Sequence, residues 1–327
     1  MQHKKIVIAG GTGFIGQAIT RFFGADSEII ILTRNLQHPA NNAFVNKKND
    51  QLTSVTAKFV YWNGKDTGEW CNEIDGCNLV INLTGKSVNC RYTVRNRQEI
   101  FDSRTNATKA IGKAIQEAAR PPELWINAAS ATIYRHATDR PQDECTGEFH
   151  NDFSVQVCKL WEQTFFEQPT NHTRKIALRM AIALGEGGVM IPYLNLCKFG
   201  LGGRQGSGKQ MYSWVHIEDV CRVIDYMGEH TQMQGVYNVS SPNPVSNDVF
   251  MQTLRKVTGN TKGLPAAKWM LAAGAGIIGT EPELLLKSRW VIPTRLLQEG
   301  FVFRYPLLEN AFAEIVQKLP RKAVHLF

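Results

Sequence analysis

The chain has 327 residues, of which 43% are hydrophobic and 20% are charged, a composition typical of a globular protein in water. The 37 Lys and Arg outnumber the 29 Asp and Glu for a formal net charge of +8, which without an RNA-binding motif does not predict a nucleic-acid partner. Seven cysteines without a C-x-x-C pair predict reduced thiols, a cytoplasmic location and no metal site. The apolar runs are too short for a signal peptide or a membrane span.

Short apolar strands alternate with helical patterns from the first residues onward. The strands are predicted over Lys5–Ala9, Ile29–Leu32, Phe59–Trp62, Leu79–Leu83, Leu124–Ala128 and Lys175–Leu184. The helices are predicted over Phe14–Phe23, Val94–Ala119 and Phe153–Phe166. Apolar strands separated by helices indicate a parallel sheet covered on both faces. The predicted fold class is therefore α/β, with a doubly wound, Rossmann-type sheet.

The composition and the periodicity of the sequence change after Leu184. Glycines cluster in GEGG and GLGGRQGSGKQ, and helical patterns then dominate. We therefore predict a sheet domain over residues 1–184. A smaller, mostly helical C-terminal lobe over residues 185–327 is predicted on the substrate side. No low-complexity linker separates the two parts, which favours a lobe packed on the sheet over an independent domain.

A glycine-rich turn joins the first predicted strand to the first predicted helix. In KIVIAGGTGFIGQAI, Gly10 permits a tight turn, Gly13 lets the backbone approach a pyrophosphate, and Gly16 lets the helix pack closely. The start of the helix offers unpaired N–H groups to phosphates. The other loop residues predicted to line a phosphate site are Thr12, Phe14 and Ile15. A glycine triplet between a strand and a helix predicts dinucleotide binding.

The second predicted strand ends in IILTRN, with Thr33 and Arg34 where NAD-preferring sites usually carry Asp or Glu. An acidic residue would repel a 2′-phosphate, whereas a guanidinium can bind it with two hydrogen bonds. The sequence therefore predicts NADP(H) rather than NAD(H). The alternative is that Arg34 is a solvated surface arginine.

The glycine loop, INLTG after the fourth strand and NAASATIY after the fifth together resemble the extended short-chain dehydrogenases/reductases. The resemblance implies a catalytic Ser or Thr with a Tyr and a Lys in Y-x-x-x-K spacing. In that family the tyrosine exchanges a proton with the substrate, and the lysine holds the nicotinamide ribose. Alignment without gaps places the serine at Ser130 and the lysine at Lys159. The tyrosine position is then Val155, which cannot carry a proton.

Two longer segments resemble a narrower group, the atypical "epimerase family proteins". The segments are GLGGRQGSGKQMYSWVHIEDV and WVIPTRLLQEGFVFRYPLLENAF. The group has a C-terminal domain of unknown function, which would cover about residues 264–318 here, and it lacks the usual tyrosine. The cofactor contacts that the resemblance implies are Thr33, Arg34, Asn82, Leu83, Gly85, Glu99 and Arg104. Strand ends line the cofactor crevice in such folds, which agrees for Asn82 and Leu83.

Two residues are candidates to replace the missing proton donor. Tyr134 lies four residues after Ser130, where the superfamily commonly has a structural residue. His216 in WVHIEDV suits either an acid or base near neutral pH or a structural turn into the next helix. The first hypothesis is an NADP(H)-dependent oxidoreductase or epimerase-like enzyme with a small-molecule substrate. The second, motivated by Val155, is a non-catalytic NADP(H) sensor or scaffold.

Overall fold

A parallel sheet forms the centre of the protein, in a computed structural model that describes residues 1–37, 44–48, 51–271, 281 and 283–324. The described strands are β1 (Lys5–Ala9), β2 (Glu28–Thr33), β3 (Phe44–Lys48), β4 (Gln51–Val55), β5 (Ala57–Tyr61), β6 (Leu79–Asn82), β7 (Leu124–Ser130), β8 (Arg174–Met180), β9 (Ile182–Leu184), β10 (Met211–Tyr212), β11 (Trp214–His216), β12 (Gly235–Val239) and β13 (Val245–Ser246). Seven of them form one sheet in the order β12-β8-β7-β6-β1-β2-β5, and all its neighbouring strands run parallel. This confirms the predicted doubly wound α/β class.

Helices cover both faces of this sheet. The described helices are α1 (Phe14–Phe23), α2 (Val94–Glu117), α3 (Phe153–Phe166), α4 (Met190–Lys198), α5 (Ile217–Glu229), α6 (Asn247–Val257), α7 (Glu283–Leu286), α8 (Thr294–Gln298), α9 (Leu308–Lys318) and α10 (Arg321–Val324). On one face, Ile6 and Ile8 of β1 belong to the same buried cluster as Ile19 of α1 and Ile224 of α5. On the other face, Val7 shares a cluster with residues of α2. Because both faces are buried, the central strands β1, β2 and β6 consist almost entirely of apolar residues.

The sheet differs from the prediction on its β8 side. The predicted single strand Lys175–Leu184 is wrong, because β8 ends at Met180 and β9 leaves the sheet to pair with β11. The sheet instead continues through β12, which pairs with β8 and was not predicted. The sheet therefore draws on residues from both sides of the predicted division at residue 184.

The C-terminal lobe has its own core, in which α4, α6 and α9 meet. Leu194, Phe250 and Phe312 belong to this cluster together with the buried Trp214. Residues 272–280 and 282, within the predicted segment 264–318, lie outside the described residues. Within the part of the chain that the structure describes, every helix is too short or too polar to span a bilayer. No cluster of three His, Cys, Asp or Glu side chains in the same part is placed to hold a metal ion.

Candidate functional site

The glycine loop lies against the carboxyl end of β6. Gly10 has φ of +80°, and a Cβ there would lie 3.1 Å from the carbonyl carbon and oxygen of Leu83. A Cβ on Gly16 would lie 2.5 Å from the Cα of Gly11. At Gly13, the residue before α1, a Cβ would meet only the Gly10 carbonyl oxygen, at 3.4 Å. The loop is therefore tightly packed on the protein side and open on the crevice side, where the first N–H groups of α1 can bind an anion.

Two parts of this loop were not singled out from the sequence. A Cβ on Gly11 would lie 2.9 Å from the Ile31 side chain, so this position also excludes a larger residue. The Phe14 ring packs beneath the GEGG turn after β9, since a Cβ on Gly185 or Gly188 would lie 2.8 or 3.1 Å from it. The only sequence signal for this contact was the glycine cluster itself. The turn after β9 therefore lies beside the glycine loop.

Thr33 and Arg34 stand at the carboxyl end of β2, as predicted for the ribose side of a dinucleotide site. The Thr33 hydroxyl is buried and hydrogen-bonds the backbone N–H and C=O of Asn35, each at 3.2 Å. Arg34 is exposed, and its aliphatic stem approaches Gly64. The exposed guanidinium at this strand end can therefore bind a phosphate, while Thr33 stabilises the turn through its hydrogen bonds to Asn35.

The Asn82 side chain is committed to the protein interior. Its amide donates to Asn127 Oδ1 at 2.7 Å and Thr108 Oγ1 at 3.2 Å, and its oxygen accepts the Thr84 N–H at 3.0 Å. Asn82 therefore fixes the ends of β6 and β7 on α2, while Leu83 supplies backbone to the wall of the crevice. The buried Thr84 hydroxyl, which the sequence reasoning missed, has no hydrogen-bond partner among the described residues. An unpaired buried hydroxyl beside the glycine loop fits a site that binds a polar ligand.

Gly85, Glu99 and Arg104 surround the start of the loop after β6. The Glu99 carboxylate forms ion pairs with Lys86 and Arg95. Hydrogen bonds from these two cations lower the pKa of Glu99, and the one from Lys86 has the larger effect. The Arg104 guanidinium lies so close to Gly85 that a Cβ there would be 3.0 Å from its Cζ. Burial lowers the pKa of Arg104. The two predicted contacts thus differ: the Glu99 carboxylate already pairs with two cations, whereas the half-buried Arg104 lies against Gly85 at the strand end.

The helix α3 presents different residues to the interior than the gap-free alignment implied. Val155, at the tyrosine position, is fully buried among apolar side chains that include Ile133. Lys159 is exposed, with its Nζ 3.4 Å from the His150 carbonyl oxygen and 5.6 Å from the centre of the Phe149 ring. The structure thus places Lys159 on the outer surface of α3. A contact between Lys159 and a nicotinamide ribose stays a prediction that this placement does not favour.

The buried polar side of α3 begins one residue earlier. Ser154 donates a hydrogen bond to Glu283 Oε1 at 2.6 Å. Cys158, one helical turn later, is 4% exposed, and burial raises the pKa of its thiol to about 12. Ser130, at the end of β7, accepts the Thr132 N–H at 3.2 Å. Its own hydroxyl proton remains available for donation to a bound group.

Tyr134 is part of a buried polar network. Its hydroxyl donates to Asn238 Oδ1 at 3.0 Å and accepts from Arg179 at 2.9 Å. Arg179 in turn binds the Glu162 carboxylate through two hydrogen bonds of 2.8 Å each. Burial raises the pKa of Tyr134 to about 12. These contacts join β8, α3 and β12, which favours a structural role for Tyr134.

His216 is also committed to structure. Its Nε2 lies 3.0 Å from Glu314 Oε2, and its Nδ1 accepts the Glu218 N–H at 3.3 Å at the start of α5. The ring is 1% exposed and packs on Tyr305. His216 therefore links α5 to α9 in the C-terminal lobe.

Changing His216 to alanine is expected to lower the free energy of unfolding by about 1–3 kcal/mol, because Glu314 and the Glu218 N–H lose a buried partner. Thermal unfolding of the purified variant measures the loss, and NADPH affinity should stay near that of the wild type. The exposed His172 provides a matched control, since His172→Ala should leave stability unchanged. A stable His216→Ala protein that has lost turnover would instead indicate catalysis by His216.

Residue 281 and residues 283–291, which we call the covering segment, lie over the N-terminal end of α3. Glu281 accepts the Tyr92 N–H at 2.9 Å, and the Tyr92 ring packs edge-on against Phe153. The buried Lys287 binds Asp152 at 2.7 Å. No motif in this segment predicted these contacts, because they join residues that are far apart in the chain.

This covering segment also reaches the end of β7. Arg289 Nε donates to Thr132 Oγ1 at 3.2 Å, two residues beyond Ser130. The Tyr92 phenol lies within electrostatic range of Glu283 and Arg289, and burial raises its pKa to about 12. A half-buried phenol therefore stands beside Phe153 at the start of α3, near Val155, the residue that the resemblance assigns to the tyrosine position.

Two family models match the chain. The NAD dependent epimerase/dehydratase family matches residues 6–240, and a domain of unknown function, DUF1731, matches residues 266–315. The chain is 31% identical over 316 residues to an epimerase family protein of Staphylococcus saprophyticus, covering 96% of this chain and 99% of that protein. It is 29% identical over 312 residues to epimerase family protein YfhF of Bacillus subtilis, covering 95% and 97%. These matches confirm the resemblance stated from the sequence.

A solved structure is similar over almost the whole chain. It is the crystal structure of human epimerase family protein SDR39U1 (isoform 2) with NADPH, with a TM-score of 0.82 and 27% sequence identity. The similarity covers 96% of this chain and 99% of the human chain. The sheet and the C-terminal lobe therefore occur together in a relative that was crystallised with a dinucleotide.

Proposed function

Because a family model matches most of its length, the chain belongs to the NAD dependent epimerase/dehydratase family, and we propose that it is an NADP(H)-dependent oxidoreductase or epimerase-like enzyme. Its substrate would be a small molecule. The observation that carries this proposal is the glycine loop, which is packed against β6 on one side and open to the crevice at Gly13. The unpaired Thr84 hydroxyl beside it supports the same conclusion. A dinucleotide fits these groups because its pyrophosphate can take the N–H groups of α1.

The preference for NADP(H) rests on the end of β2. The exposed Arg34 stands where an acidic residue would bind a ribose 2′-hydroxyl. A guanidinium at this position favours a 2′-phosphate. The human relative was solved with NADPH, which agrees with this preference. All seven cysteines are free thiols, which supports a reducing, cytoplasmic location as part of the same proposal.

The residues at the end of β7 would orient a substrate carbonyl. A nicotinamide cofactor supplies the hydride when it is bound. The Ser130 hydroxyl, held by the Thr132 N–H, would donate a hydrogen bond to the carbonyl oxygen. We assign proton donation to Tyr92, because Tyr134 and His216 are held in structural networks. At a pKa of about 12, the Tyr92 phenol keeps its proton at neutral pH.

The second candidate function is a non-catalytic NADP(H) sensor. The full burial of Val155 and the outward position of Lys159 favour it, because both differ from the arrangement that the family uses for proton transfer. Such a protein would bind NADPH through the same loop but would not catalyse its oxidation.

Single-turnover oxidation of bound NADPH with a panel of aldehydes, ketones and sugar nucleotides tests the proposal. We expect turnover with at least one of them, and a loss of about a hundred-fold to ten-thousand-fold in Tyr92→Phe with unchanged NADPH affinity. Tyr134→Phe is the matched control, since that phenol serves structure, and Lys159→Ala should also turn over at nearly the wild-type rate. NADPH binding without any turnover would favour the sensor, and absence of NADPH binding would refute both functions.

A further inference from the structure

An exposed apolar surface lies in the C-terminal lobe, where the loop after α4 meets the segment after α6. The N–H of Leu264 donates to the Gly200 carbonyl oxygen at 2.9 Å, and the Leu264 carbonyl oxygen accepts the Gly203 N–H at 3.1 Å. The N–H of Ala266 donates to the Arg204 carbonyl oxygen at 3.0 Å. Two segments that are far apart in the chain therefore lie side by side on this lobe.

These two segments expose large apolar side chains. We call them the apolar patch, which consists of Phe199, Leu201, Leu264, Trp269 and Met270. Trp269 is 73% exposed, Leu264 65% and Phe199 61%, so each of these three residues has most of its surface in water. Trp269 and Met270 lie on the helical turn that follows Leu264. A single exposed apolar residue needs no explanation, whereas a group of this size indicates contact with another molecule or with a membrane.

The charged residues in the two segments that carry the apolar patch are all basic. Residues 187–217 and 249–280 contain no Asp or Glu, although 29 of the 327 residues of the chain are acidic. The cations of these two stretches are Lys198, Arg204, Lys209, Arg255, Lys256, Lys262 and Lys268. Lys256 pairs with Glu309 on α9. Lys262 and Lys268 are exposed on either side of Leu264 in the chain, and neither enters an ion pair with another described residue.

The short helix α10 brings further cations next to the apolar patch. Lys198, which precedes Phe199 at the end of α4, donates a hydrogen bond from its Nζ to the Lys322 carbonyl oxygen at 2.8 Å. Both Arg321 and Lys322 of α10 are exposed. The apolar patch is therefore bordered by positive charge on the α4 side as well as within the segment around Leu264.

We propose that the apolar patch and its bordering lysines dock the protein on the surface of an anionic phospholipid bilayer. The Trp269 indole, an apolar ring with a polar N–H, suits the level of the lipid headgroups, while Leu264 and Phe199 would enter the acyl boundary beneath them. Lysines near such a surface are attracted to its anionic headgroups. This attachment goes beyond the proposed function and does not depend on it.

The composition of the surface favours a bilayer over a protein partner. The cores of protein interfaces are depleted in lysine, whereas Lys262 and Lys268 stand directly beside the exposed apolar residues. Exposed Trp and Leu combined with lysines are typical of segments that lie in the plane of a membrane interface. Such attachment needs no spanning helix, in agreement with the short apolar runs of the sequence.

Co-sedimentation of the full chain with lipid vesicles tests this surface. The probes are vesicles of equal parts phosphatidylglycerol and phosphatidylcholine, and vesicles of phosphatidylcholine alone. We expect saturable binding to the anionic vesicles that weakens with added salt, because salt screens the lysines. Lys262→Gln combined with Lys268→Gln should weaken it by about thirty-fold, since each lysine near an anionic surface contributes about five-fold. The matched control changes Lys109 and Lys113, exposed on α2, to Gln and should bind like the wild type.

Leu264→Ala tests the apolar contribution separately from the charge. Loss of a leucine that enters the acyl boundary should weaken binding to the anionic vesicles by about ten-fold. Leu297→Ala is the matched control, because Leu297 is also exposed but lies on α8, away from the apolar patch. Thermal unfolding of Leu264→Ala and of the lysine variants should match the wild type, which shows that any loss of vesicle binding comes from the surface and not from the fold.

The proposal is overturned if the folded wild type sediments with neither kind of vesicle, or if it binds both kinds equally. It is also overturned if Leu264→Ala and the Lys262 and Lys268 variant bind as tightly as the wild type. Absence of vesicle binding together with a dimer that Leu264→Ala dissociates, measured by light scattering, would assign the apolar patch to a second copy of the chain instead. NADPH binding and turnover are measured without vesicles, so their failure would count against the proposed function alone.

Discussion

Replacing Arg179 with methionine is expected to lower the free energy of unfolding by about 3–5 kcal/mol, because the Glu162 carboxylate would remain buried without its counter-charge. Both residues are 7% exposed, and they share two hydrogen bonds of 2.8 Å. The substitution also removes the donor to the Tyr134 hydroxyl. Urea unfolding followed by circular dichroism measures the loss as a lower midpoint.

A double variant separates the ion pair from the packing around it. Arg179→Met combined with Glu162→Met is expected to recover most of the stability, since an apolar pair of similar volume often replaces a buried ion pair without loss. The exposed pair of Arg120 with Asp75 is the surface control, and Arg120→Met should unfold close to the wild-type midpoint. A double variant as unstable as the single one would show that packing, rather than charge, holds α3 on β8.

Replacing Arg34 with alanine is expected to weaken NADPH binding by about ten-fold to one hundred-fold, the range for losing charge-assisted hydrogen bonds to a phosphate. NADH affinity should hardly change, because NADH has no 2′-phosphate. The side chain is exposed at the end of β2, so its removal should not disturb the fold. Fluorescence titration of both nucleotides gives the ratio of affinities directly.

Arg120→Ala is the matched control for this experiment. Arg120 is exposed, and its backbone N–H and its guanidinium both bind the Asp75 carboxylate. It lies just before β7, at the amino ends of the strands, whereas the glycine loop lies at their carboxyl ends. The control should bind NADPH and NADH like the wild type. Equal loss of affinity for both nucleotides in Arg34→Ala, or no loss for NADPH, would contradict a role in 2′-phosphate recognition.

Sequence reasoning reached the fold class and the dinucleotide edge because their determinants are local. Gly10, Gly13 and Gly16 lie within seven residues. A φ of +80° favours glycine at Gly10, the backbone of Gly11 leaves no room for a Cβ at Gly16, and Gly13 leaves the loop open where a pyrophosphate would approach. The predicted bounds of α3, Phe153–Phe166, agree with the structure because Asp152 caps the helix and the apolar periodicity continues to its end. The strand β12 was missed, since its five residues carry no strong pattern and its partner β8 is distant in the chain.

The sequence by itself determined that a glycine loop for a dinucleotide follows the first strand and that an arginine follows the second. It also predicted, from the resemblance, that a valine stands at the tyrosine position. Only the tertiary structure decided which side of α3 is buried. It placed Lys159 on the surface and Cys158 in the interior. Neighbouring residues of a helix point in directions about 100° apart, so an alignment shifted by one residue exchanges a buried position for an exposed one. It alone brought Arg289 to Thr132 at the end of β7. Local patterns fix backbone conformation, whereas a contact of this kind joins segments that only the packed fold makes neighbours.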